Sequence, residues 1–331
     1  MPLFDPNAPV YYLNKRQVHG FGGKLKLNRI YRKACQFFGA TLIDRTGTLT
    51  AGVNYQIIDP IPAYLEETPR FGEIAHLRAR GIVDATGEQP LKVLWSGGID
   101  STVALIALIR VLEPRGKLDR LTILHSQESI DEFSTFFHSV IQGKLRMERI
   151  ETKLFDHIQP EEIIITGEHG DQLFGSDKLK YSILTEEAYR PFRDVSSFYI
   201  SRKLGTERYT EAIEAMIEPQ LTHSPIPIET WYDYLWWMNF SLKWQTVSMR
   251  LIHGLGRTHE ALDQSVFHFF RSDLFQQWSM AHHDQKIKHE WHTYKFVAKE
   301  YIHDFHPDEA YLQFKEKEQS LKEVLVTGSR R

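Results

Sequence analysis

The 331-residue sequence predicts an α/β protein: a doubly wound parallel sheet with a helical C-terminal part, preceded by a small N-terminal α+β segment. Two patterns predict it. From Leu91 to Thr166 short apolar runs alternate with helical runs, which is how consecutive βαβ units of a parallel sheet read. Beyond about Leu179 the strand signals fade and aromatic residues recur at helical spacing. A chain of this length allows about two domains and buries roughly 75% of its unfolded surface, so its core needs no metal or disulfide staples.

Residues 1–90 hold strand-like runs between turn signals, such as Val53 to Ile58 before Asp59-Pro60, and a turn at Gly20-Phe21-Gly22-Gly23. Phe71, Ile74, Ala75, Leu77 and Ile82 recur at helical spacing and predict a helix over 71–83. Leu91 to Trp95 then reads as a strand, Ser101 to Leu112 as an apolar helix, and Leu121 to His125 as a second strand. Asp131 to Ile141 reads as an amphipathic helix and Met147 to Glu151 as a strand, while Ile163-Ile164-Ile165 marks a strand buried on both faces. Farther on, Trp231 to Trp237, Phe240 to Leu251, Leu274 to Met280 and His292 to Ile302 read as helices. Gln313 to Arg331 reads as a charged, solvated helix. The expected division is a segment over 1–90, a sheet-based domain over 91–311 and a tail helix over 312–331. The aromatic stripe around Trp231 is expected to be core.

Forty Lys and Arg against 43 Asp and Glu give a net charge of −3, so nucleic acid and anionic lipid are not expected as partners. The single cysteine, Cys35, excludes an internal disulfide framework, a Cys-rich zinc site and chemistry needing two thiols. No apolar run reaches about 18 residues, and Met1-Pro2-Leu3-Phe4-Asp5-Pro6 has neither a basic nor an apolar leader region, so a cytoplasmic protein is expected.

Ser96-Gly97-Gly98-Ile99-Asp100-Ser101-Thr102 lies between the first strand and its helix, where a phosphate binds in such folds. Two glycines let the backbone turn and approach an anion, the helix start presents N–H groups, and Ser96, Ser101 and Thr102 add hydroxyls. Asp100 beside a polyphosphate requires a bridging cation, which implies Mg²⁺. The loop lacks the lysine of a Walker A motif. It resembles the Ser-Gly-Gly-x-Asp-Ser signature of the PP-loop ATP pyrophosphatases, which cleave ATP between its α and β phosphates.

A second motif discriminates within that superfamily. Thr166-Gly167-Glu168-His169-Gly170-Asp171-Gln172-Leu173-Phe174-Gly175 is similar to the asparagine synthetase signature Ser-Gly-Glu-Gly-Ser-Asp-Glu-Leu-Phe-Gly, with His169 in place of glycine and Gln172 in place of an acid. The resemblance implies a fold of the PP-loop type and a reaction using ATP and Mg²⁺. Asp100 and Asp171 would hold the metal, and Glu168 would take a proton from an attacking amine. Leu94, Ser96, Gly97, Gly98, Asp100, Ser101, Thr102, Thr166 and Gly167 would line the nucleotide site. His169 reads either as a packing residue or as a proton shuttle.

A third, weaker stretch, Phe267-His268-Phe269-Phe270-Arg271, is similar to the family's Pro-Phe-Leu-Asp. It is followed by Tyr294-Lys295-Phe296-Val297-Ala298-Lys299, in which Lys295 takes the position of the family's active-site lysine and Lys299 that of an arginine. The nearby His282, His283, His289 and His292 have no compact zinc spacing.

Asparagine synthetases begin with a glutaminase domain whose cysteine follows the initiator Met; here position 2 is Pro and about 90 residues are too few for that domain. The expected partners are therefore a small-molecule carboxylate and ammonia or another amine, with a separate amidotransferase subunit or a homo-oligomer left open. Two alternatives stand beside the amide ligase: an enzyme adenylating a nucleobase or tRNA group, and an inactive nucleotide-binding partner subunit.

Overall fold

The computed structural model describes residues 9–20, 27–176 and 178–315. Most of the expected tail helix, and Phe21 to Gly23 of the expected glycine turn, lie outside these residues. The chain divides into two compact units, residues 65–170 with 251–331 and residues 1–64 with 171–250. This differs from the contiguous division expected at residue 90. The helix Phe71–Ala85 packs on Ile99–Leu112 and so belongs with the sheet, whereas the chain before residue 65 belongs with the aromatic helices.

In the first of these units five strands, β1 (Leu91–Leu94), β2 (Leu121–His125), β3 (Arg146–Arg149), β4 (Ile163–Thr166) and β5 (Val266–His268), form one parallel sheet in the order β3-β2-β1-β4-β5. The order reverses between β1 and β4, so the chain leaves those neighbours in opposite directions and opens a crevice beyond their carboxyl ends. β1 and β4 are buried throughout, as interior parallel strands must be; β3 closes one edge with the charged sequence Arg146-Met147-Glu148-Arg149, and β5, itself buried, closes the other. β5 was not expected. Three apolar or aromatic residues followed by Phe269-Phe270 carry no period that separates a strand from a helix.

Two expected helices are interrupted. In place of 131–141, the side chain of Ser126 caps a helix at Gln127–Glu132, and the chain breaks at Phe133 (φ −144°, ψ 67°) before Ser134–Phe136 and a wider turn over Phe137–Ile141. The Phe133 ring is held instead by Tyr311, stacked 3.8 Å away. The expected helix 292–302 is a tight turn at Trp291–Thr293 and a helix at Phe296–Phe305, separated by Lys295 in the left-handed region (φ 61°).

The second unit is helical. Thr230 and Asp233 form a reciprocal cap that starts Trp231–Leu242, a helix buried at almost every position. Its Trp236 and Trp237 indoles donate to the carbonyls of Leu173 and Gln220, each at 3.1 Å, so the aromatic stripe is core. The N-terminal strand expected at Val53–Ile58 does not form; an isolated Val10–Tyr55 bridge is all the strand pairing among the described residues before 65. Gln245 takes over the backbone groups there, donating to the carbonyls of Tyr11 (2.9 Å) and Gln56 (2.8 Å) and accepting the Ile58 N–H (2.9 Å). Among the described residues no helix is long and apolar enough to cross a membrane.

Candidate functional site

The crevice at the strand reversal is built from three sequence-distant segments of the sheet unit. The first follows β1, whose last residue, Leu94, is in register with Leu124 and Thr166. Gly97 turns the chain at φ 75°, and a Cβ there would lie 2.3 Å from the Ser129 carbonyl oxygen, so this turn admits only glycine. The Ser96 and Ser101 hydroxyls lie 3.0 Å apart, Ser101 Oγ receives the Ser96 N–H at 3.1 Å, and Ser96 Oγ receives the Gly98 N–H at 3.3 Å. These bonds make the loop rigid before any ligand arrives. Gly98 caps Ile99–Leu112 without a side-chain hydrogen bond, the kind of helix start that receives an anion.

Thr102 corrects the expected set of donors. Its side chain is fully buried and its hydroxyl receives the Trp95 indole N–H at 3.1 Å, because the position one residue beyond Ser101 on the helix faces the core rather than the loop.

The second segment follows β4. A Cβ on Gly167 would lie 2.6 Å from the Ser101 nitrogen and 2.7 Å from the Asp100 carbonyl carbon, so the turn after β4 rests directly on the first turn of the loop helix. A Cβ on Gly170 would lie 2.3 Å from the Asp100 carboxyl group. Glu168, half-buried, donates its N–H to Thr166 Oγ1 at 3.2 Å. His169 is buried with φ 76°, its ring 5.2 Å from that of His268.

The third segment brings Lys295. Its ammonium is fully buried and lies 2.5 Å from Asp100 Oδ2, with side-chain exposures of 1% and 21% for the pair. The left-handed backbone at Lys295, whose N–H donates to the Lys286 carbonyl at 2.8 Å, turns the chain so that this side chain reaches the loop. Lys299, which takes the position of the family's arginine, is buried and donates to the His292 carbonyl oxygen. One helical turn beyond Lys295, it braces the tight turn at 291–293.

Asp171 lies in the other unit, one residue past the boundary, in the short helix Gly170–Phe174; its carbonyl oxygen receives Asn239 Nδ2 at 2.6 Å. Among the described residues no group of three or more His, Cys, Asp or Glu side chains is arranged to hold a metal ion. His282 is bonded to Thr68 at 3.0 Å, His283 receives Lys286 Nζ at 2.8 Å, and His292 pairs with Glu290 at 3.2 Å. Mg²⁺ is ordinarily held by one or two carboxylates together with substrate phosphates and water, so Asp100, set at a helix start that suits an anion, fits a metal–nucleotide complex.

Sequence reasoning missed the pairing of His268 Nδ1 with Thr166 Oγ1 at 2.7 Å, because it expected Thr166 only as part of the nucleotide-site lining. Recognising 266–268 as a strand beside β4 would have found it, since the register sets His268 opposite Thr166. The chain matches no protein-family model, and no curated protein sequence matches it.

Proposed function

We propose that the protein is an ATP-dependent, amide-forming ligase of the asparagine synthetase-like, PP-loop type, which adenylates a carboxylate and passes the acyl group to ammonia or an amine. One observation carries the reading: Asp100, at the start of the loop helix, is met by the turn after β4, Gly167 against its backbone and Gly170 against its carboxylate, and by the Lys295 ammonium. These are the three segments that the motifs singled out, and they converge at the strand reversal where α/β sheets bind nucleotides.

In this reading the turn at Ser96 to Ser101 receives the β and γ phosphates. The substrate carboxylate attacks the α-phosphate, forming an acyl-adenylate and releasing pyrophosphate. Mg²⁺, which Asp100 would hold together with the phosphates, would neutralise charge on the leaving pyrophosphate. Lys295 turns its ammonium from Asp100 to the oxygen on which charge develops, a role suited to a compact cation on a flexible stem. Glu168 takes the proton of the amine as it attacks the acyl carbon, and AMP departs.

The test is formation of AMP and pyrophosphate from ATP across a panel of amino acids and small carboxylates, supplied with ammonia or hydroxylamine. Asp100→Ala is expected to abolish ATP consumption and Glu168→Ala to abolish product formation. Either variant at wild-type rate refutes the reading.

A second reading, adenylation of a nucleobase or tRNA group, draws on one local feature. Burial together with Arg32, Lys15 and Lys33 holds the His19 imidazole below its ordinary pKa, which marks a cationic cluster on the N-terminal helices. RNA binding that weakens steeply with salt would favour it; its absence at low salt removes it.

A further inference from the structure

β5 sets His268 beside Thr166 in parallel register, so the two side chains leave the same face of the sheet. Thr166 Oγ1 and His268 Nδ1 share a hydrogen bond of 2.7 Å, and both residues are buried. The same oxygen receives the Glu168 N–H, closing a side-chain turn across Gly167 of the kind Ser and Thr form with the backbone two residues on. A threonine hydroxyl held only by that one bond can rotate its proton; a second bond, to a buried imidazole, fixes it.

His268 itself is well held. Arg78 donates to its carbonyl oxygen at 3.2 Å and to that of Phe269 at 3.1 Å, and the Phe269 N–H donates to the Thr166 carbonyl at 2.8 Å. The His169 ring packs beside it, from a left-handed backbone that costs a non-glycine residue about 1–2 kcal/mol. Strain of that size persists where the surroundings hold it, commonly at functional sites. Both histidines stand where the similar motifs carry Gly and Pro, so this buried pair is a property of this chain's own sequence.

We propose that His268 is a positioning residue. It fixes the Thr166 hydroxyl and, through it, the backbone of Glu168, so that the Glu168 carboxylate is held at the end of β4 to receive the proton of the attacking amine. The role rests on the ligase reading above, and it belongs to the amide-forming step. The hydrogen bonds described for the Ser96–Ser101 loop involve neither Thr166 nor His268.

The full-length His268→Leu and His268→Asn variants test this against the wild type. Asparagine keeps a polar atom near the position of the imidazole Nδ1; leucine does not. Hydrogen exchange at the Glu168 amide is expected to be about tenfold faster in His268→Leu, the equivalent of about 1.4 kcal/mol or one ordinary hydrogen bond. In His268→Asn it should stay within about twofold of wild type, on the same scale.

On the carboxylate found by the panel, ATP–pyrophosphate exchange should be preserved in His268→Leu while amide formation falls about tenfold or more, with recovery in His268→Asn. Unchanged Glu168 exchange in His268→Leu, equal damage from both substitutions, or an equal fall in both half-reactions overturns the positioning role alone. A wild type that releases no pyrophosphate with any panel member overturns the ligase reading and this role with it.

Discussion

Replacing Lys295 with Met tests the core of the site without knowledge of the substrate. The substitution keeps a long unbranched side chain but removes the ammonium that lies 2.5 Å from Asp100 Oδ2. At that distance, and with an effective dielectric constant of ~20, two unit charges attract by about 7 kcal/mol, against which stand the several kcal/mol of taking the ammonium out of water. Loss of one partner of a buried pair costs about 3–5 kcal/mol, because the other charge is left unmatched. Asp100 retains 21% side-chain exposure, which places the loss near the lower end, about 3 kcal/mol. For a unit of this size that lowers Tm by about 6–12 °C in a thermal-shift or calorimetric scan. The double variant Asp100→Asn/Lys295→Met removes both charges and should recover about half of the loss or more. Mg²⁺ should raise the Tm of Lys295→Met more than that of the wild type, since the cation then meets an unmatched carboxylate. A single variant that melts with the wild type, or a double variant no more stable than the single, refutes the reasoning.

Other predictions concern single positions elsewhere in each unit. Gly167→Ala drives a Cβ into the backbone of Ser101 and Asp100 and is expected to cost up to about 3 kcal/mol by thermal shift. Gly47→Ala, at φ 77° with nothing within 4 Å, should cost only the left-handed backbone term of about 1–2 kcal/mol. Burial pushes the Cys35 thiol up to about 11, so at pH 8 about one molecule in a thousand carries the thiolate. Reaction with a disulfide reagent should therefore follow unfolding, and burst labelling of the native protein would contradict this. The Asp308 carboxylate caps the helix Glu309–Phe314, receiving the Thr135 hydroxyl at 2.6 Å and the Tyr311 N–H at 2.9 Å, and the Thr135 bond leads in lowering its pKa. Its stabilisation is thus complete above the unfolded value of about 3.9 and lost as pH falls through the lower folded value. Asp308→Ala should cost about 1 kcal/mol at neutral pH and remove that acid dependence, read by hydrogen exchange over 309–314.

β1, β2 and β4 were legible in the sequence because each is a short apolar run closed by a turn signal, and their ends were met within a residue or two. β5 was not, since three residues beside Phe269-Phe270 carry no period of their own. The loop at Ser96 to Ser101 was legible as a tight turn from strand to helix because glycine and hydroxyl spacing is local chemistry. The inward turn of Thr102 was not, because it depends on Trp95, a partner whose direction only the packed helix decides. Lys295 was found through its resemblance, whereas its left-handed backbone and its grip on Asp100 are tertiary outcomes. The two units escaped the sequence because each is discontinuous: the change of pattern near Leu179 lies close to one boundary, but it does not tell that the chain before residue 65 joins the helices beyond it.

That discontinuity bears on how the chain is made. β4 ends at Thr166 and β5 begins at Val266, so about 100 residues are synthesised between two strands that pair directly. At roughly 5–20 residues per second the Ile163-Ile164-Ile165 edge waits about 5–20 s for its neighbour on the ribosome. A bare apolar edge of this kind invites pairing with other nascent chains. The residues made during that wait, 171–250, belong to the other unit, which can fold from local helices while the edge stands open. The arrival of β5 completes the sheet and, through His268, the turn at Glu168 in the same event. Closing the aggregation-prone edge and fixing the turn that carries Glu168 are then one step of synthesis, and Lys295 follows it.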